Sequence, residues 1–341
     1  MRIIILLLSI TFLGCKSHQP KITTIPNKKT DFSIAFGSGN NQNKKNPFWE
    51  QLTAQKPDVW IWGGDNIYCD TEDMSVLIKN YEILQNDTAY QNFAKTTTIL
   101  EAWDDHDYGM SDGGAYYSKK KESQEIFLDF FNVPANEVRR TREGTYYSQI
   151  VDVDKHKVKI IMLDTRYFRS DLDPDPSEKK RYLPTQDTTK TMLGEMQWQW
   201  LTNELNHSKA DFNIIYSSIQ VLSSLHGFET WGNMPHEQKK LEKIILNSKA
   251  KNVILLSGDR HISEISQKKI GVNQIPLTDF TSSGLTHSYE AFSGEENPYR
   301  VEKLINVKSY GLLNFDFEHD TVEMQMWGEN NKLLQTYRLA F

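Results

Sequence analysis

Along this chain, short apolar runs rich in β-branched and aromatic residues stop repeatedly at a polar or acidic residue. Residues 32–36 run into Gly37-Ser38-Gly39, 58–62 into Gly63-Gly64-Asp65, and 97–102 into Trp103-Asp104-Asp105-His106-Asp107. Residues 158–163 stop at Asp164-Thr165-Arg166, 212–216 at Ser217-Ser218, and 252–256 at Ser257-Gly258-Asp259-Arg260-His261. Runs of this length and composition predict buried strands. Between them, three stretches carry helical spacing: 121–131, with Ile126, Phe127, Phe130 and Phe131 on one face; 193–205, with Met196, Trp200 and Leu201; and 235–246, which opens on Pro235. These aromatic and Met positions read as core. Strands alternating with helices predict a layered α/β fold in which ligands gather at the carboxyl ends of the strands, with all six polar stops expected at one edge. The alternation breaks near the end, where 310–317, 322–327 and 333–339 read as a strand meander completing a second sheet of the same body. Residues 171–184, with Pro174 and Pro176, read as a long surface loop near the site.

Composition alters this picture little. A chain of 341 residues, 38% hydrophobic and 25% charged, can bury a sizeable core. Its formal net charge of -6, with no Lys/Arg stripe, argues against a nucleic-acid-binding module, and Lys119-Lys120-Lys121 reads as the exposed start of a helix. An acidic chain can still handle a phosphorylated substrate if bound metal supplies positive charge. The N-terminus adds more. Met1-Arg2, an apolar run over 3–13 and Gly14-Cys15 are too short to span a bilayer and read as a signal peptide (1–14) ending in a bacterial lipobox. Cys15 is then the expected lipidation site and 15–30 a polar tether to a body over 31–341. The chain is accordingly expected to be an exported, membrane-anchored bacterial lipoprotein on the periplasmic or cell-surface side. Cys69, the second of two cysteines, has no intrachain partner, so no structural disulfide is expected.

Three stretches carry candidate chemistry. Asp104, Asp105, His106 and Asp107 are four successive titratable groups that repel one another unless metal ions, protons or cationic partners neutralise them; a solvated acidic turn is the other reading. Gly64-Asp65-Asn66-Ile67-Tyr68 sets a carboxylate directly after a strand and a phenol three residues on, a placement suited to bridging metals. Asp259 and His261, two residues apart on one side of an extended backbone, suit chelation, or else a hydrogen-bonded strand end.

Taken in order, Gly-Asp-x-x-Tyr, Trp-Asp-Asp-His-Asp, Leu-Asp-Thr-Arg, Leu-Gly-x-x-Gln-Trp-x-Trp-Leu and Ser-Gly-Asp-x-His closely resemble the alkaline phosphatase D family, the PhoD-like phosphatases and phosphodiesterases among the metallophosphoesterases. The resemblance runs from Phe32 nearly to the C-terminus and includes Ser218-Ile-Gln-Val-Leu222, His226-Gly-Phe-Glu-Thr-Trp231 and Thr281-Ser-Ser-Gly284. It implies a four-layer α/β/β/α sandwich, two mixed sheets flanked by helices. It also implies two or more metal ions, iron and calcium, and hydrolysis of a phosphate monoester or diester by a metal-bound hydroxide. In that scheme Asp65 bridges the metals, Tyr68 binds one as phenolate, Asp259 and His261 complete the shell, and Asp105 lies near the second ion. His106 assists the leaving oxygen, and Asp104 and Asp107 orient their neighbours. Arg166 is expected to clamp the phosphate, because a planar guanidinium donates two parallel hydrogen bonds; pairing with Asp164 is its other reading. His226 is a further ligand or substrate contact.

Two positions depart from the family pattern. Gly39 stands where a cysteine thiolate usually follows Phe-Gly-Ser, and Ser111 where Asn is expected. Cys69 could replace the missing thiolate only if the chain turns just after Tyr68. The rival reading is therefore a surface lipoprotein that kept the fold and binds phosphorylated ligands without turnover. A serine hydrolase built on Ser217 or Ser218 lacks a nucleophile-elbow glycine pattern.

Overall fold

The computed structural model describes residues 30–292 and 294–341. Cys15 and the tether up to residue 29 lie outside the described residues. The first half of the body runs β1 (Phe32–Gly37), α1 (Trp49–Gln55), β2 (Val59–Gly63), α2 (Met74–Gln85), α3 (Thr88–Ala94), β3 (Thr98–Ala102), the one-turn α4 (Asp105–Tyr108) and α5 (Lys120–Phe130). Then come β4 (Tyr147–Val153), β5 (His156–Met162), the short pair β6 (Asp173–Pro174) and β7 (Tyr182–Leu183), α6 (Gly194–Asn206), β8 (Phe212–Ser217), α7 (Pro235–Asn247) and β9 (Val253–Ser257). Six strands close the chain: β10 (Ser263–Ile270), β11 (Ile275–Ser282), β12 (Arg300–Ile305), β13 (Ser309–Asp316), β14 (Thr321–Gly328) and β15 (Lys332–Ala340).

These strands form two mixed sheets, in the orders β15-β14-β13-β1-β2-β3 and β12-β10-β11-β9-β8-β5-β4. The six strands with polar stops therefore divide equally: β1, β2 and β3 are parallel neighbours in one sheet, and β5, β8 and β9 in the other. Their stops meet across two adjoining edges instead of lying along one. The C-terminal meander does not build a separate sheet but extends the first, β13 pairing antiparallel with β1 at Ile34↔Leu313. Residues 171–184 are not a bare loop, since β6 and β7 pair within them.

Period-two alternation sorts the side chains into layers. Ile34, Phe36 and Ile61 face inward to meet Ile214, Leu256 and Phe280 of the other sheet, with Phe36 and Phe280 edge to face at 4.9 Å. Trp60 and Trp62 face outward and pack with Trp49 of α1 and Phe93 of α3. On the far side Leu201, Leu205 and Leu241 of α6 and α7 cover Ile215 and Leu255. The result is the expected α/β/β/α sandwich. Within α6 the buried tryptophan is Trp198; Met196, expected in the core, is exposed. Among the described residues no helix is long and apolar enough to cross a membrane.

One close approach positions the site. The Tyr216 hydroxyl at the end of β8 donates to the Gly63 carbonyl at the end of β2, at 2.7 Å. A Cβ on Gly63 would lie 2.0 Å from that hydroxyl, so glycine is what lets the carboxyl ends of the two sheets touch here.

Candidate metal centre

Three loops leave these touching ends and fold back on one another. After β2, Gly64 (φ +86°) and Asp65 (φ +48°) turn the chain through the left-handed region. A Cβ on Gly64 would lie 2.5 Å from Asp104 Cβ, so its absence lets the Asp65 loop press against the Asp104 loop. After β9, Asp259 (φ +67°) and His261 (φ +54°) are also left-handed, not extended as their spacing implied. Strain of this kind in non-glycine residues costs of order 1–3 kcal/mol each and gathers at functional sites. Here it brings side chains from separate loops together: the Tyr68 hydroxyl donates to Asp65 Oδ2 at 2.9 Å and lies 2.7 Å from His261 Nε2.

The third loop is the acidic cluster after β3. The Asp107 carboxylate accepts from the backbone N–H groups of Asp104 and Asn66 and from the Tyr81 hydroxyl, which fixes the turn. Asp105 accepts from the Asp112 N–H at 2.7 Å. His106 Nδ1 lies 2.9 Å from Asp70 Oδ1, which leaves Nε2 as the ring nitrogen for the cavity. The three loops and two more enclose a cavity of ≈ 160 Å³ lined by Asp65, Asp105, His106, Ser111, Asp112, Arg181, Phe228, Glu229, Asp259, Arg260 and His261. A larger hollow of ≈ 410 Å³ beside α3, β3 and α5, lined in part by Tyr90, Phe130 and Phe131, gathers none of the motif residues.

The electrostatics call for cations. Burial, then the neighbouring Asp105, pushes the Asp65 carboxyl up to about 7. Burial, then Asp104, raises Asp259 well above the carboxylate range. Burial, then Asp65, raises the Tyr68 phenol. For His106 burial disfavours the charged ring, but Asp65, Asp105 and Asp70 outweigh it and lift the imidazole to about 11. Burial likewise opposes ionisation of Asp105, yet Arg166, His106 and the Asp112 N–H hold it below its ordinary value. Asp65 Oδ1 is buried without a hydrogen-bond partner among the described residues, a costly state that a cation bound by this cavity-lining carboxylate would relieve.

Two groups of ligand atoms, each within 4.8 Å of one another, lie side by side: Asp65, Asp105 and His106, and Asp105, Asp112 and Glu229. They share Asp105. Carboxylates with a phenol and imidazoles form a donor set suited to hard cations, so the residues present fit metal ions. Asp112 and Glu229 escaped the sequence reading as ligand candidates; Glu229 lies within the quoted His226–Trp231 motif, and only the fold brings it beside Asp105. His287, whose ring is centred 4.4 Å from that of His261, was also missed, and no local pattern marks it.

Arg166 does not hold the position expected of a phosphate clamp. Its side chain has 0% exposure, and its guanidinium lies 2.6 Å from Asp104 and 2.7 Å from Glu229. Asp164 instead accepts from the backbone N–H groups of Arg166 and Tyr167. Arg166 thus neutralises the acidic floor from below. His226 does not line the cavity; its Nδ1 accepts from the Phe228 N–H, and burial, then Arg260, depresses its imidazole to about 3. Cys69 is no substitute thiolate, because its Sγ accepts from Asn80 at 3.3 Å and packs in the aromatic core. Burial pushes that thiol up to about 11. Gly39 does border the centre: a Cβ there would lie 3.4 Å from His261 Cδ2.

The arrangement of the two sheets is shared with solved structures. A solved structure described as "Structure of PhoD" superposes with a TM-score of 0.67 at 15% identity, covering 91% of this chain and 68% of the other. A dimetal phosphatase from Danio rerio superposes with a TM-score of 0.56 at 10% identity, covering 92% and 100%. In sequence, alkaline phosphatase D of Bacillus subtilis (strain 168) is 28% identical over 140 residues, 36% of this chain and 24% of that protein; the match spans about a quarter of the relative. The PhoD-like phosphatase family model matches residues 34–325, and the chain belongs to that family.

Two outcomes follow from the charge balance. Arg166→Gln leaves buried Asp104 without its guanidinium and Glu229 with Arg169 alone, and is expected to cost about 3–5 kcal/mol, read from urea unfolding; a loss under about 1 kcal/mol contradicts the assigned role. The second concerns pH. The folded metal-free protein holds a proton on Asp65 between its ordinary 3.8 and about 7, so the stability this proton contributes is lost as pH rises through that window. A cation has to displace the proton at about pH 5 but not at about pH 8. A metal ion that binds Asp65 is therefore expected to raise Tm more at the higher pH in scanning calorimetry, and an equal or larger shift at the lower pH contradicts this.

Proposed function

We propose that this chain is a metal-dependent hydrolase of phosphate esters, monoester or diester. The observation that carries the reading is Asp105 set between two sets of acidic ligand atoms, Asp65 with its unpartnered buried oxygen on one side and Asp112 with Glu229 on the other. Asp65, Tyr68, Asp259 and His261 would hold one or more ions, with Asp105, Asp112 and Glu229 around a further one. Such ions supply charge against the phosphoryl oxygens and lower the pKa of a coordinated water. Hard oxygen donors suit calcium, and the Tyr68 phenol suits iron; with Gly39 in place of a thiolate, the set relies on oxygen and imidazole.

The remaining chemistry belongs to the protein. His106, held at Nδ1 by Asp70, presents Nε2 to the cavity and gives a proton to the departing ester oxygen. In the metal-free protein Asp65, Asp105 and Asp70 favour its protonated ring against burial. Gly39 favours the rival reading, a lipoprotein that binds phosphorylated ligands without turnover, and one assay separates the two. Hydrolysis of p-nitrophenyl phosphate and its bis ester is expected from metal-supplemented protein, to be abolished by chelation and by Asp65→Asn. His106→Asn is expected to cost roughly 10²–10⁴-fold, more for alkyl than for nitrophenyl leaving groups. No Asp65-dependent turnover under any metal supplement rejects the enzyme.

The same proposal places the body outside the cytoplasm on a lipid at Cys15. Cys15→Ser is expected to move the protein from the membrane fraction to the soluble one; unchanged fractionation contradicts the anchor.

A further inference from the structure

With Arg166 committed beneath the floor, the phosphoester reading assigns no side-chain cation to the phosphoryl oxygens beside the ions. Five of the side chains lining the cavity are carboxylates, which accept hydrogen bonds but, when ionised, donate none. Its surrounding arginines differ sharply in what they have to spare. Arg169, 1% exposed, is bound to Glu229 and to backbone carbonyls. Arg260, 8% exposed, gives its Nη2 to both oxygens of Glu295 and lies over the Phe228 ring at 4.1 Å. Arg181 is different: half of its side chain is open, and its Nη2 rests on Asp112 Oδ2 at 2.5 Å.

The backbone behind Arg181 is fixed. The N–H groups of Arg181 and Tyr182 both donate to the Gly227 carbonyl, at 3.0 and 2.9 Å, which ties β7 to the loop carrying Phe228 and Glu229. Asp112 is fixed as well, since its N–H binds Asp105 and its carboxylate also accepts from the Tyr182 hydroxyl at 2.5 Å. The Arg181 guanidinium is thus held at the cavity mouth against Asp112, a member of the ligand group that includes Asp105.

We propose that Arg181, presented by Asp112, binds the non-bridging oxygens of the substrate's phosphoryl group. A guanidinium has five N–H donors in a planar fork, so Arg181 keeps its Asp112 contact while turning the rest to phosphate. The inference rests on the phosphoester reading, and it names the residue that reads the anion, not the rest of the ester.

The test is calorimetric titration of inorganic phosphate into the metal-loaded full chain, alongside KM for p-nitrophenyl phosphate and metal content. Arg181→Gln is expected to weaken phosphate binding and raise KM together, by roughly 10- to 100-fold, with metal content and Tm kept. Arg181→Lys is expected to restore part of the loss, because it returns the charge without the fork. A structural role alone would lower Tm or metal content and leave phosphate affinity per loaded protein unchanged. Phosphate affinity of Arg181→Gln within about twofold of wild type, with wild type active, overturns the proposal alone. A wild type that neither binds phosphate nor cleaves the ester overturns the phosphoester reading and this inference with it.

Discussion

The structure depends on keeping several carboxylates buried against one another. Asp65, Asp104, Asp105, Glu229 and Asp259 lie where two sheets end, and each is nearly or wholly removed from water or faces one small cavity. A buried like-charged cluster of this kind stands only with counter-charge. From below, that charge is Arg166 on Asp104 and Glu229, and from the side it is His106. What these leave unbalanced includes Asp65 Oδ1, a buried oxygen without a hydrogen-bond partner, on a residue that lines the cavity. A fold that stabilised itself alone would replace such a cluster with apolar side chains, so its presence points to a cation-dependent task.

The sandwich makes this cluster possible through close approach at small residues. Gly63 lets the two sheet ends touch through the Tyr216 hydroxyl, and Gly64 lets the loops of Asp65 and Asp104 pack together. The left-handed turns at Asp65, Asp259 and His261 then aim their side chains at one volume. The rigid strands behind these turns hold that aim, and the aromatic packing of Trp49, Trp60 and Trp62 backs the first sheet.

Much of this was legible in the sequence, for a physical reason. Parallel strands buried on both faces read as unbroken apolar runs, so β1, β2, β3, β5, β8 and β9 stood out together with the motifs at their ends. The strands β10 and β11 did not, because Glu264, Ser266, Asp279 and Thr281 are buried polar residues satisfied by partners such as Arg300, Asn297 and Gln220. The helix α2 was masked by Val76, Ile78 and Ile83, apolar yet exposed. In the site, groups local in sequence, such as Asp65 with Tyr68 or Asp259 with His261, could be paired by spacing. The partnership of Arg166 with Glu229, or of Arg181 with Asp112, spans 63 or 69 residues and exists only in the fold.

Gly39 borders His261 and offers no ligand atom, so the centre rests on its carboxylate frame. Anomalous diffraction from crystals grown with the activating metals tests the central claim most directly. The account predicts at least two peaks in the ≈ 160 Å³ cavity, one against Asp65, Tyr68 and His261 and another against Asp105 with Asp112 or Glu229. An active crystal with no peak there, or with its metal bound elsewhere, would contradict it.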